Sequence, residues 1–104
     1  MPSYVDVSFQ DRQCDRSIEG AVRRWVARLE AMRFDILGAA AAIACAGRWR
    51  TSVCLTVTAG DGNLATAACT HADPFVAVAD AFRAVRRDLL ARAGLPLPAV
   101  LAHA

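Results

Sequence analysis

Ile36-Leu37-Gly38-Ala39-Ala40-Ala41-Ala42-Ile43-Ala44-Cys45-Ala46-Gly47 admits two readings, and the architecture changes with the choice. Alanine is the best helix former, so propensity alone makes this run a helix. Two features point to a strand instead. Gly38 and Gly47 bracket the run, and the segment that follows it needs a strand to pair with. That segment, residues 51–58, alternates Val53, Leu55 and Val57 with Ser52, Cys54, Thr56 and Thr58, the period-2 pattern of a half-buried strand. Residues 59–63, Ala-Gly-Asp-Gly-Asn, make a hairpin turn, because Asp-Gly and Gly-Asn tolerate positive φ. Residues 64–70, small and polar, then form the returning strand.

Before the alanine run, Val5, Val7 and Phe9 alternate with Asp6 and Ser8, which predicts a first strand over residues 4–9. A polar stretch follows, and Ser17 is the expected helix cap, with Glu19 in the first turn favoured by the helix dipole. Ile18, Ala21, Val22, Trp25, Val26, Leu29 and Met32 recur at steps of three and four, an amphipathic helix. After the last strand, Asp73 caps a second helix with Pro74 at its first position. Phe75, Val78, Ala79, Phe82, Val85, Leu89 and Leu90 are its expected buried stripe, and Gly94 and Pro96 stop it. The order predicted is strand, helix, three strands, helix: an α+β, two-layer βαβββα domain. Its four-stranded sheet carries two parallel helices on one face. Residues 1–94 form this domain and residues 95–104 a short apolar tail.

The 104 residues suffice for a single domain. The longest apolar stretch, residues 36–47, is too short to cross a bilayer, so no membrane role is expected. Asp6, Asp11 and Asp15 fall where a signal sequence needs an apolar run, which implies a cytoplasmic protein. Net charge is +2, and all twelve basic residues are arginine. Each cation is therefore a planar fork suited to phosphate and able to stack on bases. Cys14, Cys45, Cys54 and Cys69 show no metal-finger spacing and are expected to be reduced and buried, although Cys45 and Cys54 could meet across a hairpin. Cys69, His71 and Asp73 alternate like three metal ligands, but Asp73 has its use as a cap and no fourth ligand is spaced for the purpose. Cys69 with His71 as nucleophile and base fails similarly, since such dyads do not assemble from neighbouring positions. No cofactor, no metal, no small-molecule substrate and no enzymatic activity are expected.

Three stretches carry a resemblance to a known family. They are Val5-Asp6-Val7-Ser8-Phe9 leading through a polar loop to Ile18, Val22, Val26 and Leu29; the hairpin of residues 52–68 around Asp61-Gly62; and residues 71–82, His-Ala-Asp-Pro-Phe-Val-Ala-Val-Ala-Asp-Ala-Phe, followed by Arg83, Arg86 and Arg87. Across residues 5–92 the chain resembles the single-domain ribosome hibernation-promoting factors, or ribosome-associated translation inhibitors. That resemblance implies binding to the small ribosomal subunit and its rRNA in the decoding region, where such proteins occlude messenger and transfer RNA and keep ribosomes inactive in starved cells.

On that reading Arg23, Arg24, Arg28, Arg83, Arg86 and Arg87 present guanidinium groups from two helices to phosphate backbones. The plain alternative is a solvated face on which Arg24 and Arg28 pair with Glu30 or other local carboxylates at little net gain. Arg48-Trp49-Arg50 lies at a hairpin tip, where a base can stack on the indole while the arginines hold phosphates; alternatively Trp49 folds back over the sheet. Two other functions compete. A general double-stranded RNA module shares the αβββα part of the order, but residues 73–77 carry none of the cations such domains place at the start of the last helix. A diverged copy that binds protein would use a sheet edge or the Leu95-Pro96-Leu97-Pro98 tail.

Overall fold

The computed structural model describes residues 4–10, 13–32 and 34–92. Six elements follow in the predicted order: β1 (Tyr4–Gln10), α1 (Arg16–Ala31), β2 (Ile36–Cys45), β3 (Thr51–Ala59), β4 (Leu64–His71) and α2 (Pro74–Arg92). They form one four-stranded sheet in the order β1-β2-β3-β4, with β1 and β2 parallel and the other pairs antiparallel. The helix stop at Gly94 and the tail of residues 95–104 lie outside the described residues.

The alanine run is a strand because the residues on both sides of it pair with it. Val5 lies opposite Ala39, Val7 opposite Ala41 and Phe9 opposite Ile43, and on the other flank Val57, Leu55 and Val53 meet the same three residues. Hydrogen bonding to two neighbours at once satisfies the backbone more completely in this setting than an isolated helix would, and tertiary context overrides propensity. Gly38 sits at a register irregularity next to Ile36, where a Cβ would come within 2.9 Å of the Tyr4 carbonyl oxygen. Gly47 takes φ +88° in the turn after β2, a conformation that L side chains rarely adopt.

Three rungs cross the sheet on its inner face: Val5-Ala39-Val57-Ala65, Val7-Ala41-Leu55-Ala67 and Phe9-Ile43-Val53-Cys69. Bulky β1 and β3 residues alternate with mostly small ones on β2 and β4, so the helices above can interdigitate with the sheet. Helix α1 rests on β1 and β2, α2 on β3 and β4, and the two helices touch each other. Because β1, β2 and β4 run one way and each helix returns the chain to the opposite end, α1 and α2 are parallel. The core is completed by Ile18, Val22, Val26 and Leu29 from α1 and by Ala77, Val78, Ala81, Phe82, Val85 and Leu89 from α2. The outer sheet face carries small or uncharged side chains such as Ala40, Ala42, Cys54, Thr56, Thr66 and Ala68, with Asp6 as its charged residue.

Several expectations are corrected. The cap of α1 is Asp15, not Ser17: its carboxylate accepts from the backbone N–H groups of Ser17 at 2.8 Å and Ile18 at 3.4 Å. A carboxylate one residue before the first helical position reaches two orphan donors and opposes the helix dipole, while Ser17 falls inside the first turn. Asp15→Ala is therefore expected to lower stability by about 1 kcal/mol, whereas Ser17→Ala stays within about 0.5 kcal/mol. Paired urea titrations measure the contrast, and equal losses would refute the assignment.

Met32 is the C-cap of α1 and is exposed, beyond the reach of the sheet. In α2, Phe75 is exposed and Ala79 only partly buried, while Ala77 and Ala81 are fully buried. Small residues let α2 settle closely on β4, so the inner stripe follows alanine rather than the larger Phe75. The cysteines are not buried as a group: Cys14, Cys45 and Cys54 are exposed, Cys69 is half-buried, and no disulfide joins them among the described residues. Cys54 has the parity of the outer sheet face. The register pairs it with Ala42 and pairs Cys45 with Thr51, three rungs away, too far for the geometry a disulfide needs. No helix among the described residues is long and apolar enough to cross a membrane.

Candidate nucleic-acid interface

The arginines of the helices divide by flank. With 3.6 residues per turn, Arg24 and Arg28 follow Ala21 and Trp25 around α1 on the side of α2. Arg23 lies on the opposite side of the buried stripe and pairs with Glu19 at 3.0 Å. On α2, Arg86 follows Phe82 on the side of α1, and Arg83 stands further out with its guanidinium reaching the Trp25 ring. Four of the six predicted helical arginines thus border the seam between the helices, Arg87 points outward from α2 just beyond it, and Arg23 stands apart on the far flank of α1.

The floor of that seam is a residue the sequence reading had placed in the core stripe. Trp25 is only half-buried and stacks on Phe82 across the helix pair, with ring centroids 5.7 Å apart and planes 12° from parallel. The Arg28 guanidinium lies over the indole at 5.0 Å from α1, and that of Arg83 at 5.9 Å from α2. Cations are attracted to the negative face of an indole, so one ring holds a cation from each helix. Trp25 was hidden in the pattern because it matches the apolar period; its place at the edge of the stripe beside Arg28 was the available sign.

Local carboxylates claim little of this charge. Arg83 meets Asp80 at 3.5 Å and Arg92 meets Asp88 at 3.0 Å, both exposed pairs of small worth. Arg24 and Arg28 do not pair with Glu30; their side chains, like those of Arg86 and Arg87, have no ion-pair partner among the described residues.

At the end of the sheet where both helices begin, residues 47–50 form an exposed turn closed by the Ala46 N–H donating to the Arg50 carbonyl at 2.9 Å. Trp49 is 80% exposed, so it does not fold back over the sheet. Its indole stands open between two exposed arginines. Trp25, covered by Phe82 and two guanidinium groups, offers no such free face.

The metal and nucleophile readings of Cys69, His71 and Asp73 find no support in geometry. His71 Nδ1 accepts from the Asp73 N–H at 2.9 Å, so that ring nitrogen is already taken by the backbone. Asp73 in turn accepts from the Phe75 N–H at 2.9 Å, the predicted cap. Burial raises the Cys69 thiol above its usual pKa, with Asp80 adding to the shift, so the nucleophilic thiolate is disfavoured. The described residues contain no cluster able to hold a metal ion.

The far end of the domain carries charges of both signs. Asp35, Asp61 and Asn63 line a cleft there with Phe34, Leu89 and Arg92. Asp61 is held below the usual carboxylate range by accepting from the Asn63 backbone N–H and side-chain amide, each at 2.9 Å.

These features define a class: a two-layer βαβββα domain with a cationic seam between parallel helices. Solved structures share the fold. A ribosomal subunit interface protein from Coxiella burnetii superposes with a TM-score of 0.78 at 12% identity, over 88% of this chain and 98% of that one. The N-terminal domain of Protein Y from Thermus thermophilus gives a TM-score of 0.65 at 22% identity, over 88% of this chain and 94% of that one. No family model and no curated protein sequence matches the chain. The likeness is one of fold, and it is the fold that the sequence resemblance implied.

Proposed function

We propose that this chain is a ribosome-associated factor of the hibernation type. Its helical face meets rRNA of the small subunit in the decoding region, and it holds idle ribosomes inactive in the cytoplasm of stressed cells. The observation that carries this reading is the gathering of arginines from two helices along one seam, with few carboxylates to neutralise them. A phosphate backbone is the ligand such a strip fits: its contacts are electrostatic, largely independent of sequence and weakened by salt. The likeness in fold to a protein named for the ribosomal subunit interface supports the choice of rRNA over other nucleic acid. Trp49 supplies a second element, an open indole on which an unpaired base stacks with a worth of about 1–3 kcal/mol.

A sucrose gradient of starved cells, probed for this protein, tests the assignment. The protein is expected to travel with small-subunit or whole-ribosome fractions at low salt and to leave them as salt rises. Recovery only at the top of the gradient at every salt concentration would sink the ribosomal reading.

A protein-binding role is the second reading, favoured by β4. This edge strand, Leu64–His71, holds no Asp, Glu, Lys, Arg or Pro, and pairs with β3 without interruption, so it lacks the usual guards against strand addition. Capture of one non-ribosomal protein with no rRNA recovered would favour it.

A further inference from the structure

Trp25 has a use that packing does not exhaust. It bridges the helices through Phe82, and both Arg28 and Arg83 lie over its ring. Two guanidinium groups from different elements repel each other, and each has long-chain freedom to lose when it binds an anion. The indole answers both costs by attracting each cation to a fixed place near the other.

We infer that Trp25, Arg28 and Arg83 form a preorganised clamp for one stretch of phosphodiester backbone, with Trp25 as its positioning residue. The inference rests on the reading that the helical face meets RNA and names the part of that face that is built in advance. The ligand chemistry is a phosphate diester, held by forks that can each donate two hydrogen bonds. A base is not the ligand here, because Phe82 and the two guanidinium groups cover the ring. Arg28 is free of carboxylates among the described residues, and Asp80 holds Arg83 only at 3.5 Å, so an incoming phosphate displaces little.

The test uses the full chain and a short labelled RNA duplex, with affinity measured by fluorescence anisotropy across a range of salt concentrations. Each phosphate contact contributes about one unit to the slope of log affinity against log salt. Trp25→Leu removes no charge, yet it is expected to flatten that slope by nearly as much as losing both arginines. Trp25→Phe keeps an aromatic face and should restore most of it. Arg28→Gln should weaken binding in the native chain and have little further effect in Trp25→Leu. Thermal melts confirm that each variant is folded, and Trp25→Phe with Arg28→Gln alone still decides the matter if Trp25→Leu unfolds. Native-like binding with an unchanged slope in Trp25→Leu, or a full additive loss on adding Arg28→Gln, would overturn the clamp and leave the helical face intact. Absence of RNA binding by the native chain at low salt would overturn both. Inorganic phosphate in place of RNA separates the sources: competition only at high concentration indicates a backbone site, whereas tight saturation by free phosphate contradicts it.

Discussion

Phe82→Ala is expected to remove about 3–5 kcal/mol of stability, the usual cost of deleting a fully buried phenylalanine and leaving a cavity. Phe82 heads the largest side chains with no exposed surface, and it faces both the sheet and α1. The Trp25 stack adds about 0.5–1.5 kcal/mol to what is lost, since a parallel aromatic pair is worth that much beyond its area. Small domains hold about 5–15 kcal/mol in total, so this variant sits near the edge of folding. Urea denaturation should show a large fall in midpoint with a similar slope. A loss under about 1 kcal/mol would mean that the helix pair does not depend on this contact.

Reversing Arg24, Arg28 and Arg87 to glutamate together is expected to abolish co-sedimentation with ribosomal particles. Each reversal removes two charge units, so three take the net charge from +2 to −4. Three phosphate contacts become three repulsions. The salt slope should fall by about three units and affinity for RNA by about 100-fold or more. All three side chains are exposed, and surface changes of this kind usually stay within about 0.5 kcal/mol each, so the fold survives. Arg23→Glu is the matched control. It lies on the far flank, already paired with Glu19, and should change binding little. Equal losses from Arg23→Glu and from the triple reversal would reduce the effect to net charge and remove the seam from the explanation.

The sequence patterns were legible where one physical signal dominated. Alternation on β1 and β3 and the three-and-four spacing on α1 marked their faces, and Asp73-Pro74 marked the start of α2. The alanine run was legible only through its neighbours, because a strand with small side chains on both faces carries no period of its own. Asp15 and Ser17 are both good caps, and the choice between them depends on where the chain leaves the preceding loop. Phe75 misled for a similar reason: hydrophobicity ranks it above Ala77, but the close approach of α2 to β4 admits only the smaller residue. Hydrophobic character also misassigned the cysteines, since strand parity puts Cys54 on the outer face. For the site, arginine positions were readable as off-stripe residues, yet which flank they occupied required the partner helix. Trp25 was unreadable as a functional residue because its meaning comes from Arg83, fifty-eight positions away in the chain.

The parallel course of the two helices gives the molecule a front and a back along the seam. Both helices start beside Arg48, Trp49 and Arg50, and they finish beside the cleft that holds Asp35 and Asp61. A ligand lying along the seam therefore meets two arginines and an open indole at one end and a cleft of mixed charge, with Asp35, Asp61 and Arg92, at the other. The two directions along the strip are chemically unequal, so a backbone laid one way is not equivalent to the same backbone reversed.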